Sequence, residues 1–262
     1  MVVDDVVPHK FSFMAHVDKI QTVEAIDTWQ ADMLLVLDAS TKERIGKVAT
    51  LYEGPIYNMD HHISNSKFAD ALYLKPEYAA TGEIVVACCN EWGWPITATM
   101  ATSLYAAIAS DCGFFRFSNT TEHTLAMAGL CVAQGAKPNI ISEHLEATSK
   151  ERLEVMKEAF ASIAFYKDNR VASIALNKDL MARVGDDTDG FVDIIRNVDT
   201  VDISIFLKYV DEHTTRVSLR SKQSDVNEIA SHFGGGGHIR ASGCTINAPI
   251  EEALTKLLGV IQ

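Results

Sequence analysis

The chain has 262 residues, of which 47% are hydrophobic and 22% charged, and its formal net charge is −12. This is the balance of a soluble globular protein with length enough for two domains, and no apolar run approaches the ~20 residues that a bilayer requires. The negative charge excludes a protein that coats long duplex nucleic acid through a basic, counterion-releasing face, but leaves short phosphorylated ligands open.

The opening stretch, MVVDDVVPHKF, reads as a short buried strand and a turn in which Asp4, Asp5 and His9 are solvated. It lacks the basic start and cleavage site of a leader, so the cytoplasm is the expected location. MLLVLDAS (33–40) is a continuous apolar run ending in Asp38, the pattern of a strand buried on both faces, and PIYNMDHH (55–62) is a second strand ending in Asp60, His61 and His62. Helices follow over 81–93 and 97–111, with Thr81 and Thr97 as N-caps and Gly93 and Pro95 breaking the chain between them. Trp92 and Trp94 flank this break and are expected to be packing residues.

After the turn CGFFRFSNTT, helices are expected over 123–134, 138–147 and 149–163, the last with the charged face of a linker helix. The pattern then changes to strands at 170–176, 201–209 and 214–221, a short helix at 225–232, a glycine run, a strand at 242–246 and a closing helix from 250. The domain limits are therefore 1–148 and 149–262. Asp186, Asp187 and Asp189 read as a solvated turn. Cys88, Cys89, Cys112, Cys131 and Cys244 form no C-x-x-C pair and read as buried reduced thiols. His16, His123, His144, His213 and His232 read as surface or satisfied histidines.

Imidazole and carboxylate together suit Mn²⁺, Zn²⁺ or Fe²⁺, but Asp-His-His alone is also a common turn sequence. Asp38 and Asp60 fall at the C-terminal ends of strands, the edge at which open parallel sheets bind ligands. Asp111 ends a helix where the dipole disfavours an anion, and a cation would give it a reason to be there. FGGGGHIRASG (233–243) places four glycines beside His238 and Arg240, after a strand carrying Arg220. The run suits either a phosphate cradle of backbone amides or a hinge.

DHH at 60–62, SDCGFFRFSNTT at 110–121 and VSLRS…GGGGHIRASG at 217–243 occur in this order over nearly the whole chain. Together they resemble the DHH phosphoesterases with a DHH-associated C-terminal domain, on the branch of bifunctional oligoribonuclease and pAp phosphatase proteins. The resemblance implies an α/β fold, with a parallel-sheet DHH domain joined by a linker helix to a smaller mixed-sheet domain. It implies a two-ion Mn²⁺ site with Asp38, His61 and Asp111 as ligands, Asp60 orienting the imidazoles and His62 facing the scissile phosphate. Arg116, Arg220, Ser221, Gly236, Gly237 and His238 would then hold the substrate. The implied activity is hydrolysis of short oligoribonucleotides to 5′-mononucleotides and of pAp to AMP. A cyclic or linear dinucleotide phosphodiesterase and a nucleotide-binding module without turnover are the alternatives.

The family's opening His-x-x-x-Asp-x-Asp motif is not found in this sequence. Truncation of an active enzyme and natural loss with impaired catalysis are both consistent with that, and either would leave metal binding weak. A missing first βα unit would expose a sheet edge and a helix-packing face, a liability that a homodimer would cover.

Overall fold

Short strands β1 (Val2–Val3) and β2 (Gln21–Thr22) pair in parallel, and the longer parallel strands β3 (Leu34–Leu37), β4 (Ile56–Asp60) and β5 (Ala71–Leu74) form a sheet in chain order. The computed structural model describes residues 1–26, 30–185, 188 and 190–261, so Asp186, Asp187 and Asp189 lie outside the described residues. The chain divides into two units, Met1–Ala147 and Thr148–Gln262.

In the first unit, Leu34, Val36 and Ile56 point to one face of the sheet and pack with Ala39 and Val48. The opposite face carries Leu35, Leu37, Tyr57 and Tyr73, which are 51%, 48%, 40% and 42% exposed. In register, Leu35 stands beside Tyr57, Leu37 beside Met59, and Met59 beside Tyr73. The expectation that 33–40 is buried on both faces is thus corrected. The run is apolar throughout because both faces are apolar, but among the described residues only one is covered.

Helices α1 (Thr81–Trp92), α2 (Ala98–Asp111), α3 (Glu122–Ala133) and α4 (Pro138–Leu145) pack through Val86, Ala101, Tyr105, Ala106, Ile108, Ala109, Met127, Ala128, Cys131 and Ile141. Alanines at the crossings let the backbones approach closely. Thr97 caps α2 by accepting from the Met100 amide (3.3 Å). Thr81 is not a cap: it lies inside α1, whose N-cap is Ala80. Trp92 and Trp94 are 52% and 60% exposed, which corrects their assignment as packing residues. Gly93 ends α1 in the left-handed conformation (φ 68°), and the two rings meet edge to face at 4.8 Å.

The second unit begins with α5 (Lys150–Ala159), whose Val155 and Ala159 enter its core and whose Glu151 and Glu158 each accept from Arg183 at 2.7 Å. The other elements are β6 (Ala164–Tyr166), β7 (Val171–Leu176), α6 (Lys178–Val184), α7 (Phe191–Arg196), β8 (Ile203–Asp211), β9 (Thr214–Ser221), α8 (Val226–Ser231), β10 (Gly236–His238), β11 (Ala241–Ile246) and α9 (Ile250–Val260). The sheet order is β10-β11-β9-β8-β7-β6, with β7 and β8 parallel and the other neighbours antiparallel. Helices α5, α6 and α7 pack Leu180, Phe191 and Ile195 against Ile174, Leu176 and Phe206, while α8 and α9 pack Val226, Ile229 and Leu257 against Ile203, Ile205 and Leu219. Because the sheet is covered on both faces, β7 and β8 read as continuous apolar runs. All five cysteines are buried and free, and no helix among the described residues is long and apolar enough to cross a membrane.

Leu34→Ala should cost about 2–3 kcal/mol of stability and Leu35→Ala less than about 1 kcal/mol, because only the first empties packed space. Urea unfolding of the two variants checks this; equal losses would mean that the Leu35 face is covered in solution.

Candidate metal centre at the strand ends

Asp38 follows β3 in the left-handed region (φ 61°), a conformation that aspartate tolerates better than most residues. Its amide still donates to Met59 O (3.0 Å), and its Oδ1 accepts from the Thr81 hydroxyl (2.8 Å), so both backbone and carboxylate are fixed. His61, one residue beyond β4, is buried, with Nε2 3.5 Å from Asp38 Oδ1 and 3.6 Å from Asp111 Oδ2. One ligand atom from each of these three side chains lies within 4.8 Å of the other two. His61 Nδ1 is 3.2 Å from Tyr78 O. A carbonyl can only accept, so Nδ1 carries the proton and the neutral ring presents the Nε2 lone pair to the two carboxylates.

The electrostatics fit a cation. Burial lowers the pKa of His61 and favours the neutral, coordinating ring, against the opposite pull of Asp38. Asp111, at the C-terminus of α2, is pushed up to about 7 by burial and by the charge of Asp38. Its side chain is 39% exposed as a whole, but Oδ2 faces the crowded side of the site. Two carboxylates and an imidazole suit Mn²⁺, Zn²⁺ or Fe²⁺, and together they supply three ligands for one ion.

Asp60 is fully buried: Oδ1 accepts from His62 Nδ1 (2.7 Å) and Oδ2 from Asn65 Nδ2 (2.6 Å). The Asn65 amide also reaches Asn58 Oδ1 (2.9 Å), and Asn58 donates to Val36 O (3.2 Å), tying the group back to β3. Burial alone would raise the Asp60 pKa, but the bonds from His62 and Asn65 outweigh it and hold the group at about 2. The same bond raises the pKa of His62 against the effect of burial. Asp60 and His62 also lie with Asp38 in a second close group, but there the carboxylate and the imidazole are bonded to each other.

The turn after Asp111 holds Gly113, Phe114 and Phe115 in the left-handed region (φ 57°, 55° and 64°), an uncommon state for phenylalanine. Arg116 follows; its Nε donates to Gly113 O (2.7 Å), and its side chain is 64% exposed. In the second unit, the glycine run leaves α8 and becomes β10. A Cβ on Gly235 would lie 2.2 Å from Gly243 O, and one on Gly237 2.6 Å from Ala241 O, so these glycines let β10 close on β11. The Gly237 amide donates to Asn227 Oδ1 (2.9 Å) rather than standing free for an anion. His238 ends β10, and Gly236 precedes these two within it. Arg220 lies on β9 with Nη1 donating to Leu219 O (3.0 Å). Ser221 is 2% exposed and donates its hydroxyl to Ser224 O (2.5 Å).

Residue types alone did not point to Asn65, Thr81, Tyr78 or Asn119. Asn65 and Asn119 lie beside or within the polar motif stretches, whereas Tyr78 and Thr81 lie in neither. For Asp60, a depressed pKa stabilises the fold above the usual carboxylate range, and that contribution is lost as pH falls through about 2. In metal-free chain, Asp60→Asn should remove about 2–3 kcal/mol of stability at pH 6. The loss should shrink towards pH 2, as urea unfolding at both pH values would show.

Comparison with known proteins bears on the family and the fold. A DHHA1 domain model matches residues 181–262. The bifunctional oligoribonuclease and PAP phosphatase NrnA of Thermus thermophilus is 30% identical over 231 residues, covering 87% of this chain and 70% of that protein. The protein of the same name from Bacillus subtilis is 26% identical over 241 residues, covering 90% and 75%. The crystal structure of an exopolyphosphatase-related protein from Bacteroides fragilis has the same fold, with a TM-score of 0.88 at 24% identity over 98% of this chain and 81% of that one. The chain belongs to the DHH family of phosphoester hydrolases, close to its NrnA branch.

Proposed function

We propose that the chain hydrolyses short oligoribonucleotides to 5′-mononucleotides, and pAp to AMP and phosphate, with a divalent ion, Mn²⁺ by preference, held by Asp38, His61 and Asp111. The observation that carries this reading is the convergence of those three side chains at the Nε2 lone pair of His61, in a chain 30% identical to an NrnA protein. A bound divalent ion supplies charge neutralisation at the phosphoryl oxygens.

The remaining work belongs to the chain's own groups. Asp60 fixes His62 through Nδ1 and favours its protonated form, so that His62 faces the scissile phosphate as a cationic hydrogen-bond donor. The oxygen of water adds to phosphorus while the bond to the 3′ oxygen breaks, and the leaving oxygen gains a proton. Arg116 offers a phosphate contact in the first unit. In the second unit, Arg220, Gly236 and His238 offer contacts to a phosphate or sugar group, while Gly237, whose amide is taken by Asn227 Oδ1, shapes β10. Ser221 supports them by holding the 221–224 turn. The net charge of −12 favours one to a few nucleotides over a long polymer.

A second reading, a nucleotide-binding protein with little turnover, draws on the donor set itself. Asp38, His61 and Asp111 serve one ion, whereas Asp60 and His62 are engaged with each other. In the first reading, Asp38→Ala should lower Mn²⁺-dependent release of mononucleotides from 2- to 5-mer RNA by at least about 10³-fold, and Arg220→Ala should mainly raise KM. Product is read by ion-exchange chromatography. Tight binding of these ligands with no release of product at saturating Mn²⁺ would replace the hydrolase reading with the second.

A further inference from the structure

Glu83 is fully buried in the first turn of α1, and its contacts reach beyond capping that helix. Oε2 accepts from the Ala79 amide (2.8 Å) and the Thr124 hydroxyl (3.0 Å), and Oε1 from His123 Nδ1 (2.5 Å). Thr124 and His123 lie in the first turn of α3, so one carboxylate joins the starts of two helices to the turn at 78–81. His123 also packs its ring on Tyr78, with centroids 4.4 Å apart.

Two of the three side chains assigned above to the metal, His61 and Asp38, meet that turn directly, and the backbone of the third, Asp111, is joined to it through Asn119. Tyr78 O faces His61 Nδ1 at 3.2 Å and so sets the ring tautomer. Thr81 donates to Asp38 Oδ1 at 2.8 Å. Asn119 Nδ2 lies 3.3 Å from both Ala79 O and Asp111 O, joining the turn to the end of α2. A local role, in which Glu83 caps α1 alone, would account for the Ala79 contact but not for the contacts to α3.

We infer that Glu83 is a positioning residue of the metal centre: its buried carboxylate holds the Tyr78–Thr81 turn, and that turn aims Asp38, His61 and Asp111 at a common point. The inference rests on the metal reading given under Proposed function. Metal affinity depends on such outer partners because they fix ring orientation and tautomer before the ion arrives. What the site needs from Glu83 is geometry. A glutamine can accept from Ala79 and Thr124 with its carbonyl and donate to the opposite tautomer of His123 with its amide.

The test is calorimetric titration of the full chain with Mn²⁺ alone, beside thermal unfolding and the ¹⁵N shifts of His61. Glu83→Ala should weaken Mn²⁺ binding about 10–100-fold and remove the fixed Nδ1–H tautomer of His61, whereas Glu83→Gln should stay within about threefold of the parent. Asn119→Ala changes an exposed residue and keeps the test open if Glu83→Ala does not fold; it should weaken binding severalfold with little change in Tm. Asp38→Asn separates the two claims. If it abolishes Mn²⁺ binding while the Glu83 and Asn119 variants bind within about twofold of the parent, the positioning role is wrong and the metal site stands. Should Asp38→Asn leave Mn²⁺ binding intact, both fall.

Discussion

The concentration of negative charge around one imidazole nitrogen is the constraint on which the first unit depends. Asp38 and Asp111 both approach His61 Nε2, and Asp111 also sits at the C-terminus of α2, where the helix dipole is negative. Crowding, like charge and dipole all oppose ionisation there, and the carboxyl responds by rising to about 7. A divalent cation reverses the sign of two of these effects at once, since each carboxylate then faces a positive charge closer than the other carboxylate. Repulsion between the two carboxylates costs stability in the free chain, which fits a site shaped for a ligand rather than for folding.

Asp38 and Asp111 stand out in the sequence because each lies where an apolar run stops, and the family resemblance adds His61 to them as an expected ligand. A charged side chain at such a boundary is neither core nor ordinary surface. What could not be read is how their neighbours spend their hydrogen bonds. Thr81 looks like an N-cap by type and position, but its hydroxyl donates to Asp38, and the amide of Ala79 is taken by Glu83, four residues further on. That exchange is settled by the approach of β3 and α1, which no local pattern records. The fold shows the same division: β7 and β8 are legible as strands, whereas β5, with no fully buried residue, and the three-residue β6 do not stand out. LLVL reads identically whether one face is buried or two.

The glycine run shows how a local pattern can point to the wrong cause. Four consecutive glycines suit a hinge or an anion cradle equally well, yet Gly235 and Gly237 are required by the closeness of β10 to β11, where any side chain would meet backbone. The turn beside it is fixed by polar contacts. Burial would raise the Asp202 pKa, but the bonds it accepts from the Ser224 hydroxyl (2.5 Å) and from the amides of Gln223 (2.6 Å), Ser224 and Lys222 outweigh it and lower the pKa. Arg240 donates to the carbonyls of Gln223 and Ser224. The end of β9 that carries Arg220 is thus fixed by polar contacts to the turn that follows it.

Among the described residues, the uncovered face of β3, β4 and β5 leaves the candidate metal centre to be held largely by polar contacts. In a parallel sheet packed on both faces, strand ends are held by two hydrophobic layers. Here Leu35, Leu37, Tyr57 and Tyr73 are about half exposed, so packing fixes the strands bearing Asp38 and Asp60 from one side only. Ligand placement then falls to directional bonds: Thr81 on Asp38, Asn65 on Asp60, Tyr78 O on His61. Directional bonds hold a side chain more narrowly than apolar packing does, but each fails completely when its partner shifts. The buried Glu83 network is therefore not ornamental to the helices it joins: among the described residues it supplies the rigidity that the open face of the sheet does not.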